Sequence, residues 1–296
     1  MHSGDSACII PSRHISEEHV KTIKEYTRKI AEEMHVKGLM NMQYAIEGDT
    51  VYVLEANPRA SRTVPLVSKV CNIRMVPLAI EIATAELTGK ESPVPALKEQ
   101  NIPYYGVKEA AFPFNMFQEV DPVLGPEMRS TGEVLGLSQS WGEAFYKAQE
   151  GIQSKLPLCG KALISVSNRD KDEVVEIAKS LADSGFEIVA SKNTCKLLND
   201  NGIKAEMICK LNEGRPDMMD AILNGDVDLI INTPAADGES IYDDSYLRKA
   251  AIKKKIPYMT TMAAARATAT GIKDIKKHGN SEVKSLQELH AEIIDK

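Results

Sequence analysis

The chain has 296 residues, of which 43% are apolar and 26% charged, and its net charge is −6. That length allows two domains with a core each, and the composition is that of a globular protein. An acidic balance with 5% aromatics argues against a nucleic-acid partner, and no apolar run approaches the ~20 residues of a membrane span.

The start, Met1-His2-Ser3-Gly4-Asp5, has neither the basic region nor the apolar stretch of a signal peptide. Five cysteines (Cys8, Cys71, Cys159, Cys195, Cys209) are odd in number and lack CxxC spacing. They read as reduced thiols, which places the chain in the cytoplasm.

Residues 17–36 carry Val20, Ile23, Ile30, Ala31 and Met34 at helical spacing, with Ser16 as N-cap and Glu17 and Glu18 in the first turn. Two short apolar segments follow, Gly38–Ile46 and Val51–Leu54, around Glu47-Gly48-Asp49-Thr50. The β-branched and aromatic residues flanking a Gly-Asp turn predict a β-hairpin. Such a hairpin brings Gln43 close to Glu55, with Asn57 just beyond. Three converging side-chain oxygens suit a hard cation such as Mg2+, which bridges to phosphate. Arg59 and Arg62 then stand beside it, as an anion or phosphoryl-transfer site requires. A Glu and an Asn at a strand end are more often simply solvated, so the weight rests on the whole string.

Leu66–Leu87 reads as helical, with Pro77 able to break or restart it, and 89–103 reads as loop. Residues Pro103–Met116 are extended and aromatic, and predict strands. Gly125 to Gly136 is polar and turn-rich, leading into a helix at Ser140–Glu150. Ser154–Gly160 reads as a linker. Beyond it strands are expected at Ala162–Val166, Glu187–Ala190, Glu206–Ile208, Leu229–Asn232 and Pro257–Thr260. Helices are expected at Lys171–Ser184, Thr194–Asn201, Pro216–Asn224, Ser245–Lys255 and Ser285–Ile294. Alternating strands and helices predict a parallel sheet covered on both faces, with its ligand beyond the carboxyl ends of the strands. Ser191 and Thr194 fall at a helix N-terminus that favours phosphate, and Lys171, Lys210, Asn232 and Thr233 crowd the same edge.

Gln43 followed by Glu55-x-Asn57-Pro58-Arg59-x-x-Arg62 resembles the metal-binding signature of ATP-grasp ligases. With Arg62-Thr63-Val64-Pro65 after it, the string resembles the large subunit of carbamoyl-phosphate synthetases. The stretch Gly125 to Gly136 is similar to the same family. The later strings Asn212-Glu213-Gly214-Arg215-Pro216 and Ile230-Ile231-Asn232-Thr233-Pro234 resemble the methylglyoxal-synthase-like domain, which is the C-terminal allosteric domain of those enzymes.

The resemblance implies an α/β chain. Residues 1–153 would form the back part of an ATP-grasp domain, α+β with an antiparallel sheet. Residues 154–296 would form a Rossmann-like parallel-sheet allosteric domain. The implied reaction is phosphorylation of carbamate by ATP with Mg2+ or Mn2+, within an enzyme that uses bicarbonate and glutamine-derived ammonia for arginine and pyrimidine synthesis. Gln43, Glu55 and Asn57 would hold the metal on the triphosphate, Arg59 and Arg62 would act on the reacting groups, and His2 and Ser3 would touch the nucleotide. Implied effector contacts for a UMP- or IMP-type nucleotide are Lys171, Ser191, Thr194, Lys210, Asn232 and Thr233. Asp5, Glu109, Tyr258 and Thr260 match an ornithine-type site. Implied partners are a glutaminase small subunit and the rest of the large subunit in an oligomer, with no membrane.

Two positions depart from the family pattern. Asn193 stands where many members have Gly, and Met259 where ornithine-responsive members often carry Asp. No His lies between Lys155 and Ile275, against a catalytic methylglyoxal synthase. In the family, His2 lies midway through an ATP-grasp domain, so the chain reads as a fragment or a split subunit, inactive alone. The alternative is a nucleotide-sensing module without chemistry; a biotin carboxylase-type enzyme is weaker, since that branch lacks an appended effector domain.

Overall fold

The computed structural model describes residues 2–94, 100–117, 120–233, 238–279 and 283–295. Strand β1 (Cys8–Ile10) is followed by α1 (Glu17–Glu33), where Ser16 Oγ accepts from the His19 N–H as the N-cap signal predicts. The hairpin comprises β2 (Asn41–Glu47) and β3 (Thr50–Asn57), joined by Gly48-Asp49 with Gly48 at φ +57°. The second strand therefore runs three residues past Leu54 and takes Glu55 and Asn57 into the ladder. The expected long helix is two, α2 (Thr63–Val70) and α3 (Met75–Thr88). The break comes at Asn72, with φ +52°, and Pro77 sits in the first turn of α3, where a missing N–H costs little.

Next come β4 (Gln100–Asn101), β5 (Tyr105–Ala111), β6 (Gly132–Ser138) and α4 (Trp141–Gly151). The stretch expected as turn thus contains a strand, and the sheet order is β1-β5-β6. Gly136 is there for packing. A Cβ on Gly136 would meet Ala144 O at 2.0 Å and Ala148 N at 2.7 Å, so α4 lies directly on the β6 backbone. The expected linker is largely exposed but anchored at its middle, where Leu156 is buried and its carbonyl accepts from Tyr146 Oη at 3.3 Å.

The remainder alternates β7 (Gly160–Ser165), α5 (Lys171–Asp183), β8 (Phe186–Ser191), α6 (Lys192–Asp200), β9 (Ala205–Ile208), α7 (Met218–Asn224), β10 (Leu229–Asn232), α8 (Gly238–Lys254), β11 (Tyr258–Met259) and α9 (Met262–His278). Helix α9 was not expected. All paired strands are parallel, in the order β11-β10-β7-β8-β9. Helices α7 and α8 cover one face through Met218, Ile222, Leu247 and Ala251 packed on Leu163, Val189 and Ile230. Strand order reverses between β7 and β10, the switch point at which such sheets take their ligands.

Short α10 (Leu286–His290) and β12 (Ile294–Asp295) end the chain, and β12 pairs antiparallel with β4. The chain forms two compact units, Met1–Cys8 with Val107–Glu282, and Ile9–Gly106 with Val283–Lys296. No helix among the described residues is long and apolar enough to cross a membrane.

Candidate functional site

In the hairpin the ladder sets Gln43 opposite Glu55 and Asn41 opposite Asn57, with an irregularity after Gln43. Because strand side chains alternate, Glu55 and Asn57 share one face. Gln43 Nε2 donates to Glu55 Oε1 at 3.1 Å, and Asn57 Nδ2 donates to the same oxygen. The three side chains therefore meet around an exposed carboxylate, but with two amide nitrogens turned onto it where three converging oxygens were expected. A carboxylate flanked by two amides fits a hard cation: turning either amide over exchanges its nitrogen for an oxygen without moving the backbone.

Pro58 then takes the chain into a tight turn, in which the Arg59 N–H bonds Asn57 O at 2.8 Å. Arg59 Nη1 donates to Ala60 O at 2.9 Å and the side chain is exposed, while Arg62 is half-buried at the N-cap of α2. Asn41 Nδ2 reaches Ser61 Oγ at 3.3 Å, tying the strand to the arginine turn. Among the described residues no group of three His, Cys, Asp or Glu could hold a metal.

His2 and Ser3 belong to the other compact unit. His2 Nδ1 accepts from the Gly4 N–H at 3.0 Å, which opens a short 3-10 turn. In the same turn Asp5 is buried and accepts from the N–H groups of Arg129 and Ser130, each at 2.9 Å. Burial works to raise its carboxyl, but those N–H groups and the Ser130 hydroxyl outweigh it and hold the group below the usual range. Glu109 goes the other way: burial raises it, although the Ala110 N–H, Lys108 and Gln149 oppose the shift. Gln149 Nε2 donates to Glu109 at 2.8 Å. No hydrogen bond among the described residues joins Asp5 or Glu109 to Tyr258 or Thr260.

At the switch point the Thr233 N–H donates to Ser165 O at 3.0 Å, and the Ser167 N–H donates to Thr233 Oγ1 at 2.9 Å. The Thr233 hydroxyl in turn serves Asp170, which also accepts from Ser167 Oγ at 2.7 Å. Burial tends to raise Asp170, and the two hydroxyls with Arg169 hold it low. Thr233 is thus occupied within the protein. Ser191 caps α6 without a side-chain bond to the helix N–H groups; instead its hydroxyl donates to buried Thr194 Oγ1 at 3.3 Å. Lys171, half-buried, opens α5, and exposed Lys210 follows β9.

Asn232 ends β10 in a cluster that sequence reasoning did not assemble. Its Nδ2 donates to Asp244 Oδ1 and to Tyr258 Oη, both at 2.6 Å, and Tyr258 Oη donates to Asp244 Oδ1 at 2.7 Å. Arg248 pairs with the other Asp244 oxygen and lies 5.6 Å from the Tyr258 ring centroid. Arg248 Nε is buried and has no hydrogen-bond partner among the described residues. Burial, reinforced by the Asp244 carboxylate, drives the Tyr258 hydroxyl far above its ordinary range, so it stays a donor. The missed signal was the i,i+4 spacing of Asp244 and Arg248, which resembles an ordinary surface helix pair.

Two family models match the chain. The one described as carbamoyl-phosphate synthase L chain, ATP binding domain, matches residues 1–89, and the one described as MGS-like domain matches 173–260. Among curated proteins, a carbamoyl phosphate synthase large chain of Archaeoglobus fulgidus is 46% identical over 295 residues, 99% of this chain and 27% of that one. A large chain, C-terminal section, of Aquifex aeolicus is 43% identical over 98% of this chain and 57% of its own. A large chain of Methanosarcina barkeri is 41% identical over 99% of this chain and 73% of its own. The chain thus spans from about a quarter to about three quarters of the length of these relatives.

Proposed function

We infer the function from one premise: the chain belongs to the carbamoyl phosphate synthase large-chain family. Within the complete enzyme it would serve the transfer of a phosphoryl group from ATP to carbamate, giving carbamoyl phosphate. The bicarbonate and glutamine-derived ammonia, the glutaminase partner and the oligomeric assembly belong to that whole-enzyme reading. Residues 1–153 are assigned to the ATP-binding domain and 154–296 to the MGS-like domain.

The observation that carries the reading is the meeting of Gln43 and Asn57 on the Glu55 carboxylate, followed within one turn by Arg59 and Arg62. Gln43, Glu55 and Asn57 would hold Mg2+ or Mn2+, which when bound neutralises the charge of the triphosphate. Arg59, exposed beyond the turn, offers a guanidinium to the anionic carbamate. Arg62, held at the start of α2, stands for the transferring phosphoryl group. The chain by itself would be inactive. Replacing Glu55 with Ala in the complete enzyme tests this: loss of carbamate phosphorylation with glutaminase turnover retained is expected, and unchanged synthesis overturns it.

The parallel-sheet segment would bind a nucleotide effector of the UMP or IMP type at the switch point, with phosphate at Ser191, Thr194, Lys171 and Lys210. The uncapped start of α6 and the polar buried edge support this. Calorimetry of the chain with UMP and IMP tests it, and absence of heat with both overturns it. An ornithine response has less support, since Asp5 is spent on backbone N–H groups and Tyr258 on Asn232 and Asp244.

A further inference from the structure

Asn232 is 9% exposed and terminates β10 at the switch point, paired in register with Ser165 of β7. A carboxamide has one donor end and one acceptor end on opposite sides of a planar group. Here the donor end is turned inward, 2.6 Å from both Asp244 Oδ1 and Tyr258 Oη. The reverse orientation would set the amide oxygen against the Asp244 carboxylate, two acceptors at contact, so the assignment is chemically forced. Arg248 fixes the far side of Asp244, and Tyr258, a donor to Asp244, can only accept from Asn232. The acceptor Oδ1 is then left on the opposite side, and among the described residues no donor meets it. An acceptor oxygen repels phosphate and attracts N–H or O–H.

We propose that Asp244, Tyr258 and Arg248 are positioning residues that lock Asn232 with its carbonyl oxygen toward the ligand, so that this end of the site selects a hydrogen-bond donor rather than a phosphate. The ligand class is a phosphorylated molecule with a hydroxyl or N–H remote from its phosphate, as in a nucleoside monophosphate. Thr233, whose hydroxyl is spent on Ser167 and Asp170, adds nothing to the phosphate, which falls to the Ser191 and Thr194 end. The proposal rests on the effector-site reading above and divides its residues into two jobs.

The test is calorimetry of the full chain with two probes, UMP and inorganic phosphate. Tyr258→Phe and Asn232→Ala should each weaken UMP about tenfold, as one hydrogen bond to a ligand is worth, and leave phosphate affinity unchanged. The double variant should be no weaker than Asn232→Ala alone, because Tyr258 acts through Asn232. Additive losses, equal losses for both probes, or no loss with UMP overturn the proposal. If the unmodified chain binds phosphate but gains nothing from the nucleoside, the donor end is overturned while the phosphate end stands. If it binds neither probe, the effector reading itself falls, and the proposal with it.

Discussion

Gly271 of α9 and Gly142 of α4 touch through bare backbone: a Cβ on Gly271 would lie 2.8 Å from the Gly142 carbonyl oxygen, and one on Gly142 would lie 2.5 Å from Asp274 Oδ2. Ser140 Oγ, which caps α4, also donates to that Asp274 carboxylate. The two helices are thereby fastened by a contact that leaves no room for a side chain.

This inverts an ordinary expectation. Gly271→Ala within an isolated helix would stabilise by about 1 kcal/mol. In this protein it should instead destabilise by about 1–3 kcal/mol, because backbone atoms have to move apart. Urea unfolding with an unchanged m-value reads the difference; a more stable variant would show that the helices are not in close contact.

Glu55→Gln separates chemistry from folding. The side chain is exposed, so the melting temperature should stay within the shift of an ordinary surface change, about 0.5 kcal/mol. On the function proposed above, carbamate phosphorylation by the complete enzyme should fall about a hundredfold or more. A large thermal shift together with full activity would make Glu55 structural.

Tyr104 is 1% exposed and its hydroxyl donates to Val70 O at 2.8 Å, satisfying a carbonyl at the end of α2. Tyr104→Phe leaves that carbonyl buried and should cost about 1–3 kcal/mol. Burial, with Cys71 and Glu292 nearby, pushes the hydroxyl from 10.0 up to about 12. Because the folded value is raised, its share of stability is complete below pH 10 and is lost as pH rises through about 12. Denaturant midpoints across that range should fall for the natural chain and flatten in the Phe variant; parallel slopes would refute it.

Asp5 gives the acid counterpart. Burial raises its carboxyl, but the Arg129 and Ser130 hydrogen bonds outweigh this and its folded value is depressed. The stability it supplies is present above the unfolded carboxylate value and is lost as pH falls through the folded one. Asp5→Asn should cost about 2 kcal/mol at neutral pH, since an amide N–H2 must face a backbone N–H. The difference between the two proteins should narrow as acid protonates Asp5; a gap that stays constant with pH would argue against a charged Asp5.

The hairpin and the alternating sheet were legible because their signals are local: a Gly-Asp turn between β-formers, and apolar runs bounded by polar turns. Lengths were less so. Strand β3 continues through Glu55 and Asn57 because their partners Gln43 and Asn41 lie twelve and sixteen residues back, beyond any local window. Strand β6 was hidden by Gly132 and Gly136, which look like turn residues, the second until α4 is seen lying on it. Helix α9 was missed because Thr268, Thr270 and Gly271 weaken its intrinsic helicity; tertiary packing against α4 and α5 makes it. The Asn232 cluster needed three elements, β10, α8 and β11, brought together before Asp244 and Arg248 acquired meaning.

Residues 283–295 return to the unit formed by Ile9–Gly106. Strand β12 pairs with β4, and His290 Nε2 meets Lys69 O at 2.6 Å, across 221 positions of sequence. During synthesis, therefore, residues 9–106 emerge with these partners still unmade, while the parallel sheet between can form as it is translated. The Ile9–Gly106 unit therefore depends on pairings of high sequence separation, which form slowly because a long stretch of chain has to be closed before they are made.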